Sequence, residues 1–397
     1  MRNIPRAVVA LGVVSFLTDA SSEMIYPLLP LFLATALGAG PAVVGLVEGI
    51  AESAAALLKV ASGALADRAK RRKPLVLLGY SISGLVRPLV GLATSWPMVL
   101  AVRLTDRVGK GVRTAPRDAL IADATSPEAR GAAYGLHRAM DHAGAVVGPL
   151  VAGLLLGTFG MDLRHVFLAA FVPALAAVVV IVAAVREVPR QAGSGPSPGG
   201  TPSSWRELTR DYWLLLAAIL VFTLGNSTDA FLLLRLAQAG VPTAWIATLW
   251  AAHHVVRVVA TYLGGRLSDR VGPRPAVLAG WATYAAVYAA FALVDSRAGL
   301  VAVFLAYGVY YGLAEPAERA WVANVVPARL RGTAFGFYHG AIGIAALPAS
   351  LLFGLLWQAI GPLAFAIGGS LSLVAAALLL APSMRGRTAS AEVAAGE

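Results

Sequence analysis

The chain has 397 residues, of which 58% are hydrophobic and 13% are charged, so it carries more apolar surface than a water-soluble core of this size could bury. The net charge of +11 could indicate nucleic-acid binding, but the basic residues cluster in short segments between apolar runs, which indicates membrane topology instead. There are no cysteines, which excludes disulfides and thiolate metal sites. We expect an all-α membrane protein with no cofactor, no bound metal and no nucleic-acid partner.

The apolar runs are long and unbroken, as between Val166 and Val185, whereas the strands of a transmembrane barrel would alternate apolar and polar residues over about ten positions. A helix needs roughly 20 residues to cross about 30 Å of hydrocarbon, so the chain has room for about twelve spans with short loops. Asp19 and Glu23 lie in the first run, which we predict to be a span rather than a removable signal peptide. In chain order the predicted helices are 7–36, 42–66, 74–94, 97–120, 130–157, 165–186, 211–238, 244–267, 275–294, 299–323, 331–357 and 360–382.

A segment rich in glycine, serine and proline divides these helices into six and six. Residues 188–204 include GSGPSPGGTPSS and have too little apolar surface to form a packed structure, so they predict a flexible linker. The predicted domain organisation is an N-terminal six-helix bundle at 1–187, a cytoplasmic linker at 188–210, and a C-terminal six-helix bundle with a short cytoplasmic tail at 211–397.

Short motifs recur in the two halves at an offset of about 200 residues. The matching segments are GALADR (63–68) with GRLSDR (265–270), RGAAYG (130–135) with RGTAFG (331–336), and SSE (21–23) with STD (227–229). Three matches in the same order predict an internal duplication. Two similar halves imply a pseudo-symmetric protein with its binding site between them.

Basic residues are distributed unequally between the two sets of loops. Segments such as 70–73 and 266–274 are rich in arginine and lysine, whereas the loops on the other side offer only Arg164 and Arg297. Basic residues near the ends of spans resist translocation. We therefore predict that both termini are cytoplasmic, in a multi-pass protein of the inner membrane.

The loops after the second and eighth spans carry a repeated glycine, aspartate and arginine pattern. Its residues are Gly63, Asp67, Arg68 and Arg72 in the first copy, and Gly265, Asp269 and Arg270 in the second. This pattern resembles the loop signature of the major facilitator superfamily. The resemblance implies about 12 transmembrane helices in two pseudo-symmetric six-helix bundles, and a gating role for these residues on the cytoplasmic side. Simple anchoring by positive charge is the alternative interpretation.

Two further motifs resemble signatures of the same superfamily. Gly144, Gly148 and Pro149 in the fifth span are similar to the antiporter signature of drug/proton exchangers, which implies close helix packing and a bend that gates. The alternative is ordinary glycine-rich packing. Arg107 in the fourth span resembles an arginine that the family associates with proton coupling. Arg117, like Arg113 one turn before it, is predicted to pair with an aspartate in the cytoplasmic gate, either Asp67 or Asp118.

Many charged residues fall inside the predicted spans. An unpaired charge near the membrane centre costs about 2.5 to 3.5 kcal/mol, so these side chains must pair with one another or face a water-filled cavity. Arg138 and Asp141 are three residues apart and predict one such pair. The candidates for substrate and proton coupling are Asp19, Glu23, Glu48, Glu52, Arg107, Arg138, Asp141, Asp229 and His254. For each of them a structural ion pair or hydrogen bond is the alternative.

We predict that the protein is a secondary active transporter, not an enzyme, which moves a small organic solute by alternating access, with proton-coupled efflux as the leading hypothesis. The proton gradient is the expected energy source, because no phosphate-binding loop ending in GK[ST] is present. The alternative is proton-coupled import of a charged metabolite or siderophore-like compound, and a more remote one is a membrane-embedded transferase. The expected partners are the solute, protons and the lipid bilayer, and we expect a monomer.

Overall fold

A computed structural model describes residues 5–68, 71–125, 130–185, 205–326 and 330–380. Every regular element in these ranges is helical. The α-helices are α1 (Arg6–Glu23), α2 (Leu29–Thr35), α3 (Pro41–Arg68), α4 (Lys73–Val86), α5 (Trp96–Asp123), α6 (Arg130–Gly157), α7 (Leu163–Ala169), α8 (Phe171–Ala184), α9 (Arg210–Gly225), α10 (Ala230–Gln238), α11 (Thr243–Val271), α12 (Pro273–Leu293), α13 (Arg297–Val325), α14 (Arg331–Ile360) and α15 (Ala364–Leu380).

Within the described residues, ten helical stretches are long and apolar enough to cross a membrane. One of these, Ala334–Leu380, includes both α14 and α15. Helix α5 is not among the ten, because charged side chains recur along its length. Residues 188–204 of the predicted linker and residues 381–397 of the predicted last helix end and tail lie outside the described part of the chain. The remainder of the predicted linker, 205–210, contains a short 3₁₀ turn at Trp205–Glu207 and the first residue of α9.

The predicted spans coincide with observed helices, but four of them are interrupted. The first predicted span contains a 3₁₀ turn at Tyr26–Leu28, between α1 and α2. Pro27 and Pro30 account for this break, because proline lacks the backbone donor that a continuous helix requires. The third predicted span ends in a 3₁₀ segment at Arg87–Leu92 that also contains a proline, and the sixth is divided into α7 and α8.

The seventh predicted span is interrupted between α9 and α10, without any proline. The four residues of this break are Asn226, Ser227, Thr228 and Asp229, whose short polar side chains compete with the helical backbone for hydrogen bonds. The Tyr284 hydroxyl donates to the carbonyl oxygen of Gly225 at 3.0 Å, and so satisfies a group that the break would leave exposed. The breaks between α1 and α2 and between α9 and α10 directly follow or contain the repeated SSE and STD motifs.

Glycines of α6 allow this helix to approach α1 closely. A Cβ atom added to Gly144 would overlap the carbonyl oxygen of Phe16, and one added to Gly148 would overlap that of Ala20. These two positions therefore have the close-packing role predicted from the sequence, and Pro149 lies beside them inside α6. Further along α6, a Cβ atom at Gly153 would meet the Thr248 hydroxyl of α11 at 2.8 Å. The small residues of α6 thus serve two different neighbours.

We expect Gly148→Ala to lower the free energy of unfolding by about 1 to 3 kcal/mol, because the added methyl group has no room against the backbone of α1. Gly135→Ala is the matched control: it lies in the same helix, and no neighbouring atom lies within 4 Å of its added Cβ. Thermal unfolding of both variants in detergent measures the difference. Equal unfolding temperatures for Gly148→Ala and the wild type would contradict the packing described here.

Helices from the two halves of the sequence pack against each other at one end of the molecule. Added Cβ atoms at Gly45 of α3 and Gly354 of α14 would overlap or crowd the backbone of Ser350 and Pro41 respectively, and α2 packs against α10. We call this the closed end; it carries the connections 36–40, 158–162 and 239–242. Towards the other end, no neighbouring atom lies within 4 Å of an added Cβ at Gly135, Gly336 or Gly340.

Candidate functional site

A central cavity lies between the helices of the two sequence halves. It consists of two adjoining chambers of about 480 Å³ and 370 Å³, which share Tyr26, Glu52, Asp229 and Arg257 in their walls. Volumes in this range accommodate drug-sized organic molecules. Because both halves contribute to the wall, relative motion of the halves would change the shape of the cavity and the access to it.

The two chambers differ in chemical character. The smaller one, which we call the charged chamber, is lined mainly by ionisable side chains of α1, α5 and α6. These are Asp19, Glu23, Arg103, Asp106, Arg107, Lys110, Arg113, Arg138, Asp141 and His142. The larger one, which we call the aromatic chamber, includes Phe222, Tyr310, Tyr311 and Tyr338, together with Glu315 and Glu318. A ligand that occupied both chambers would meet charged groups at one end and ring faces at the other.

Two buried ion pairs form the frame of the charged chamber. The guanidinium of Arg103 donates to Glu48 at 2.5 Å, and that of Arg87 donates to Asp106 at 2.7 Å and to the carbonyl oxygen of Thr18 at 3.1 Å. The Glu48 side chain is 0% exposed and does not line either chamber, unlike the other predicted coupling residues. Its geometry is that of a structural pair between α3 and α5, which was the alternative interpretation of this residue.

Glu52, one turn along α3 from Glu48, is placed differently. Its carboxylate lies 3.3 Å from the guanidinium of Arg107, and both residues line the charged chamber. The Glu52 side chain is 48% exposed, so this pair is accessible from the cavity. The sequence prediction that Arg107 faces the cavity is consistent with this position.

Glu23 lies at the end of α1, where the first span is interrupted, and contacts α11 in the other sequence half. Its carboxylate accepts a hydrogen bond from the indole nitrogen of Trp250 at 2.8 Å, and lies 4.0 Å from the Nε2 atom of His254. Both predicted coupling residues, Glu23 and His254, are therefore brought together at the cavity wall. A proton gained or lost by Glu23 would alter a contact that joins the two halves.

Asp229 is the corresponding carboxylate at the break between α9 and α10. The hydroxyl groups of Tyr307 and Tyr311 donate to it at 2.9 Å and 3.2 Å. Above Tyr311 lies the guanidinium of Arg257, 3.8 Å from the ring centre, which also donates to Glu315 at 2.9 Å. The internal duplication thus places one acidic side chain at each helix break, and both line the cavity.

Asp19 and Asp141 line the charged chamber between α1 and α6. Asp141 lies 3.6 Å from Arg138, which is the ion pair predicted from their spacing, and 3.7 Å from His137. The other ring nitrogen of His137 lies 2.7 Å from the Ser15 hydroxyl. Asp19 lies one turn before Glu23 and opens into the same chamber. This side of the cavity therefore carries several ionisable side chains close to one another.

The predicted gating residues outside α6 fall into three groups. Arg72 forms an ion pair with Asp123 between the ends of α4 and α5, and Arg117 pairs with Asp118 at 2.8 Å as predicted. In the second copy of the loop motif, Asp269 and Arg270 are exposed near the end of α11, and no neighbouring atom lies within 4 Å of a Cβ added to Gly265. In the first copy, Gly63, Asp67 and Arg68 belong to α3, but their side chains lie outside the described part of the chain.

The structure also identifies residues in or beside the cavity wall that the sequence did not single out as site residues. Trp250, Tyr307 and Tyr311 hold the two carboxylates at the helix breaks, and Ser53 of α3 inserts into α14. The Ser53 hydroxyl donates to the carbonyl oxygen of Gly343 at 2.6 Å and accepts from the Leu347 N–H at 3.1 Å. In a regular helix those two groups of α14 would bond to each other. Only the aromatic residues gave a signal in the sequence, through their number in the second half.

Comparison with known proteins places the fold and site in a family. The sequence model of the Major Facilitator Superfamily matches residues 11–253 and 240–395. An uncharacterized MFS-type transporter of Methanocaldococcus jannaschii is 31% identical over 393 residues, which cover 96% of this chain and 95% of the relative. The multidrug resistance protein MdtH of Photorhabdus laumondii is 33% identical, but only over 34% of this chain and 33% of its own length.

Among solved structures, a bacterial homologue of the human lysosomal transporter Spinster, in an inward-facing and unoccupied conformation, superposes with a TM-score of 0.73. The two sequences are 20% identical, and the superposition covers 94% of each chain. A likeness at this level of identity shows a shared fold.

Proposed function

Because this chain belongs to the major facilitator superfamily, we propose that it is a secondary active transporter that moves a small organic solute across the inner membrane by alternating access. The observation that carries the proposal is the central cavity, whose charged and aromatic walls come from both sequence halves and which is sealed by helix contacts at the closed end. We infer twelve spans in two six-helix bundles, joined by the linker at 188–210. The ten apolar stretches become twelve spans when α5 is added and α14 and α15 are counted separately.

The distribution of basic residues supports an orientation with both termini in the cytoplasm. Lys73, Arg266, Arg270 and Arg274 lie at or near the helix ends opposite to the closed end. Basic residues at span ends favour the cytoplasmic side. In this orientation the closed end faces outward, and the cavity is accessible from the cytoplasm.

We propose proton-coupled efflux as the transport mode. Glu23, Asp229 and Asp19 are the proton carriers in this proposal, because each lines the cavity and the first two lie where a helix is broken beside the opposite half. The glycines of α6 and the name of the partly matching relative MdtH favour efflux. Proton-coupled import of a charged metabolite is the second candidate, and the charged chamber favours it through its many basic side chains.

The gating residues have a role in the other half of the transport cycle. When the cavity opens outward, the ends of α3 and α11 must approach the opposite bundle, and Asp67, Arg68, Asp269 and Arg270 are placed near those ends. Close packing at Gly144 and Gly148 keeps α6 and α1 together while the bundles move. The acid and base pairs at these helix ends would then join the two bundles on the cytoplasmic side.

Reconstitution into liposomes that contain a pH-sensitive dye tests the proposal. A proton gradient is imposed, and panels of anionic, cationic and zwitterionic organic compounds are added in turn. We expect at least one panel to produce proton flux above that of protein-free liposomes. Protons that move opposite to the compound indicate antiport and efflux, whereas protons that move with it indicate import. Absence of compound-dependent proton flux with every panel would contradict proton coupling.

A further inference from the structure

Arg113 is a buried cation that lines the charged chamber. Its residue is only 5% exposed, and its guanidinium lies over the ring of Tyr80 at 4.0 Å from the ring centre. The Tyr80 hydroxyl lies 3.3 Å from the Ser15 hydroxyl, and this hydrogen bond holds the ring in place. A guanidinium stacked on a fixed ring keeps its orientation but gains no counter-charge from it.

Glycines bring the backbone at Arg113 into its position. A Cβ atom added to Gly79 of α4 would lie 2.6 Å from the Cβ of Arg113, and one added to Gly109 of α5 would lie 2.6 Å from the Ser83 hydroxyl. Helices α4 and α5 therefore pack closely at this level, and a larger residue at Gly79 would displace Arg113. The position of the Arg113 backbone is therefore fixed by helix packing, unlike that of a flexible residue on the protein surface.

Among the described residues, no carboxylate lies within ion-pair distance of Arg113. Its neighbours on α5 have partners of their own, since Arg103 pairs with Glu48, Arg107 with Glu52 and Arg117 with Asp118. Arg113 forms no such pair, and its Nε atom has no hydrogen-bond partner although it is buried. A buried guanidinium without a paired carboxylate would be stabilised by a negative group that enters the chamber.

The side chain of the predicted gate partner Asp67 lies outside the described part of the chain. A Cβ atom added to Gly111 would meet the side chain of Leu58, which fixes the level of α3 beside this part of α5. Asp67 follows Leu58 by nine residues, which corresponds to about 13 Å of helix rise. The pairing of Arg113 with Asp67 or Asp118 in a cytoplasmic gate stays a prediction.

The surroundings of Arg113 indicate the size and character of the missing anion. Lys110 lines the same chamber one turn before Arg113, and Asp19 also lines it and interacts electrostatically with Arg113 without forming an ion-pair contact. The charged chamber continues past Tyr26 into the aromatic chamber, where Phe222 and Tyr310 offer ring faces. An anionic group on an apolar, ring-containing body would meet complementary groups in both chambers.

We propose that Arg113 binds the anionic group of the transported solute, which is an organic anion with an aromatic or similarly apolar body. This inference rests on the proposed transport function and deepens it. The carboxylate or sulfonate of such a solute binds the guanidinium of Arg113, and its body extends towards the aromatic chamber.

Equilibrium dialysis of purified protein against three naphthalene probes tests the inference. These are 1-naphthoate, 1-naphthylmethylamine and 1-naphthalenemethanol, which share a ring system and carry a negative, positive or no charge. We expect the wild type to bind 1-naphthoate most tightly. Arg113→Gln should weaken 1-naphthoate at least about tenfold, which is the scale of one charge-assisted hydrogen bond, and leave the neutral alcohol within about twofold.

Two further variants keep the test informative. Arg113→Lys retains the charge without the guanidinium fork, so it should lose less 1-naphthoate affinity than Arg113→Gln and shows the effect even if the latter does not fold. Arg266→Gln is the matched control, because Arg266 is an exposed arginine that also lies over a tyrosine ring, 5.8 Å from the centre of Tyr262. It should bind all three probes like the wild type.

The inference is overturned if the wild type does not prefer 1-naphthoate, or if folded Arg113→Gln binds it as the wild type does. Binding and transport are read separately. Arg113-dependent binding without proton flux in liposomes would contradict the transport function and not the anion site. Compound-dependent flux that Arg113→Gln leaves unchanged would contradict the anion site and not the transport function.

Discussion

Glu23→Gln is expected to reduce compound-dependent proton flux to the level of protein-free liposomes. Glutamine keeps the size of the side chain and still accepts a hydrogen bond from Trp250, but it cannot carry a proton between the two sides of the membrane. Because Glu23 contacts Trp250 and His254 of the opposite half, a change in its protonation reaches the contact between the halves directly. We expect the amount of protein in the membrane to remain unchanged.

Two comparisons make this result specific. Glu207→Gln alters an exposed carboxylate that lines neither chamber, and it should transport like the wild type. Asp19→Asn should show the same loss as Glu23→Gln, since Asp19 lies one turn away on the same chamber wall. Unchanged flux in both Glu23→Gln and Asp19→Asn would contradict the assignment of these carboxylates to proton coupling.

Arg103→Met is expected to have the largest effect on stability, a loss of about 3 to 5 kcal/mol in the free energy of unfolding. Its carboxylate partner Glu48 is fully buried and would be left without a counter-charge, and one of its oxygen atoms already lacks a hydrogen-bond partner. The double variant Glu48→Gln with Arg103→Met removes both charges, so it should be more stable than Arg103→Met alone. Reversible unfolding in mixed micelles measures these differences.

Arg138→Met is the matched control for this experiment. Arg138 also pairs with a carboxylate in the same chamber, but its side chain is 69% exposed, so water compensates for the lost pair. We expect a loss of less than about 1 kcal/mol for Arg138→Met. A loss for Arg103→Met no greater than that for Arg138→Met would show that the Glu48 pair is not the structural element described here.

The sequence predicted where the helices lie but not where they break. Apolar runs of sufficient length determine membrane helices, because backbone groups in lipid must bond within their own segment. The break at Tyr26–Leu28 depends on Pro27 and Pro30. Both prolines are visible in the sequence, but the run around them is apolar throughout and therefore predicted one continuous span. The break after Gly225 depends on a distant residue, because Tyr284, 59 residues away, supplies the compensating hydrogen bond.

The sequence predicted which charged residues belong to the site, but it did not predict which residues they contact. Acidic and basic residues inside the membrane spans indicate a water-filled cavity, because burying their charges in lipid costs too much free energy. Which of them face that cavity is decided by contacts between distant helices, such as Glu23 with Trp250 and Asp229 with Tyr307. Spacing along one helix cannot reveal such contacts. Spacing did predict Arg138 with Asp141, because both lie on one face of α6.

Alternating access requires the two halves to move against each other, and distances between spin labels on the two halves test this motion most directly. The chain contains no cysteines, so labels can be placed without background at Gly135 and Gly336, towards the end opposite to the closed end, and at Phe159 and Gln238, near the closed end. The distances are measured in reconstituted protein at about pH 5 and about pH 8, each with and without 1-naphthoate. We predict that a change of condition that shortens the Gly135–Gly336 distance also lengthens the Phe159–Gln238 distance. A single, unchanging distance at both ends under all these conditions would contradict alternating access in this protein.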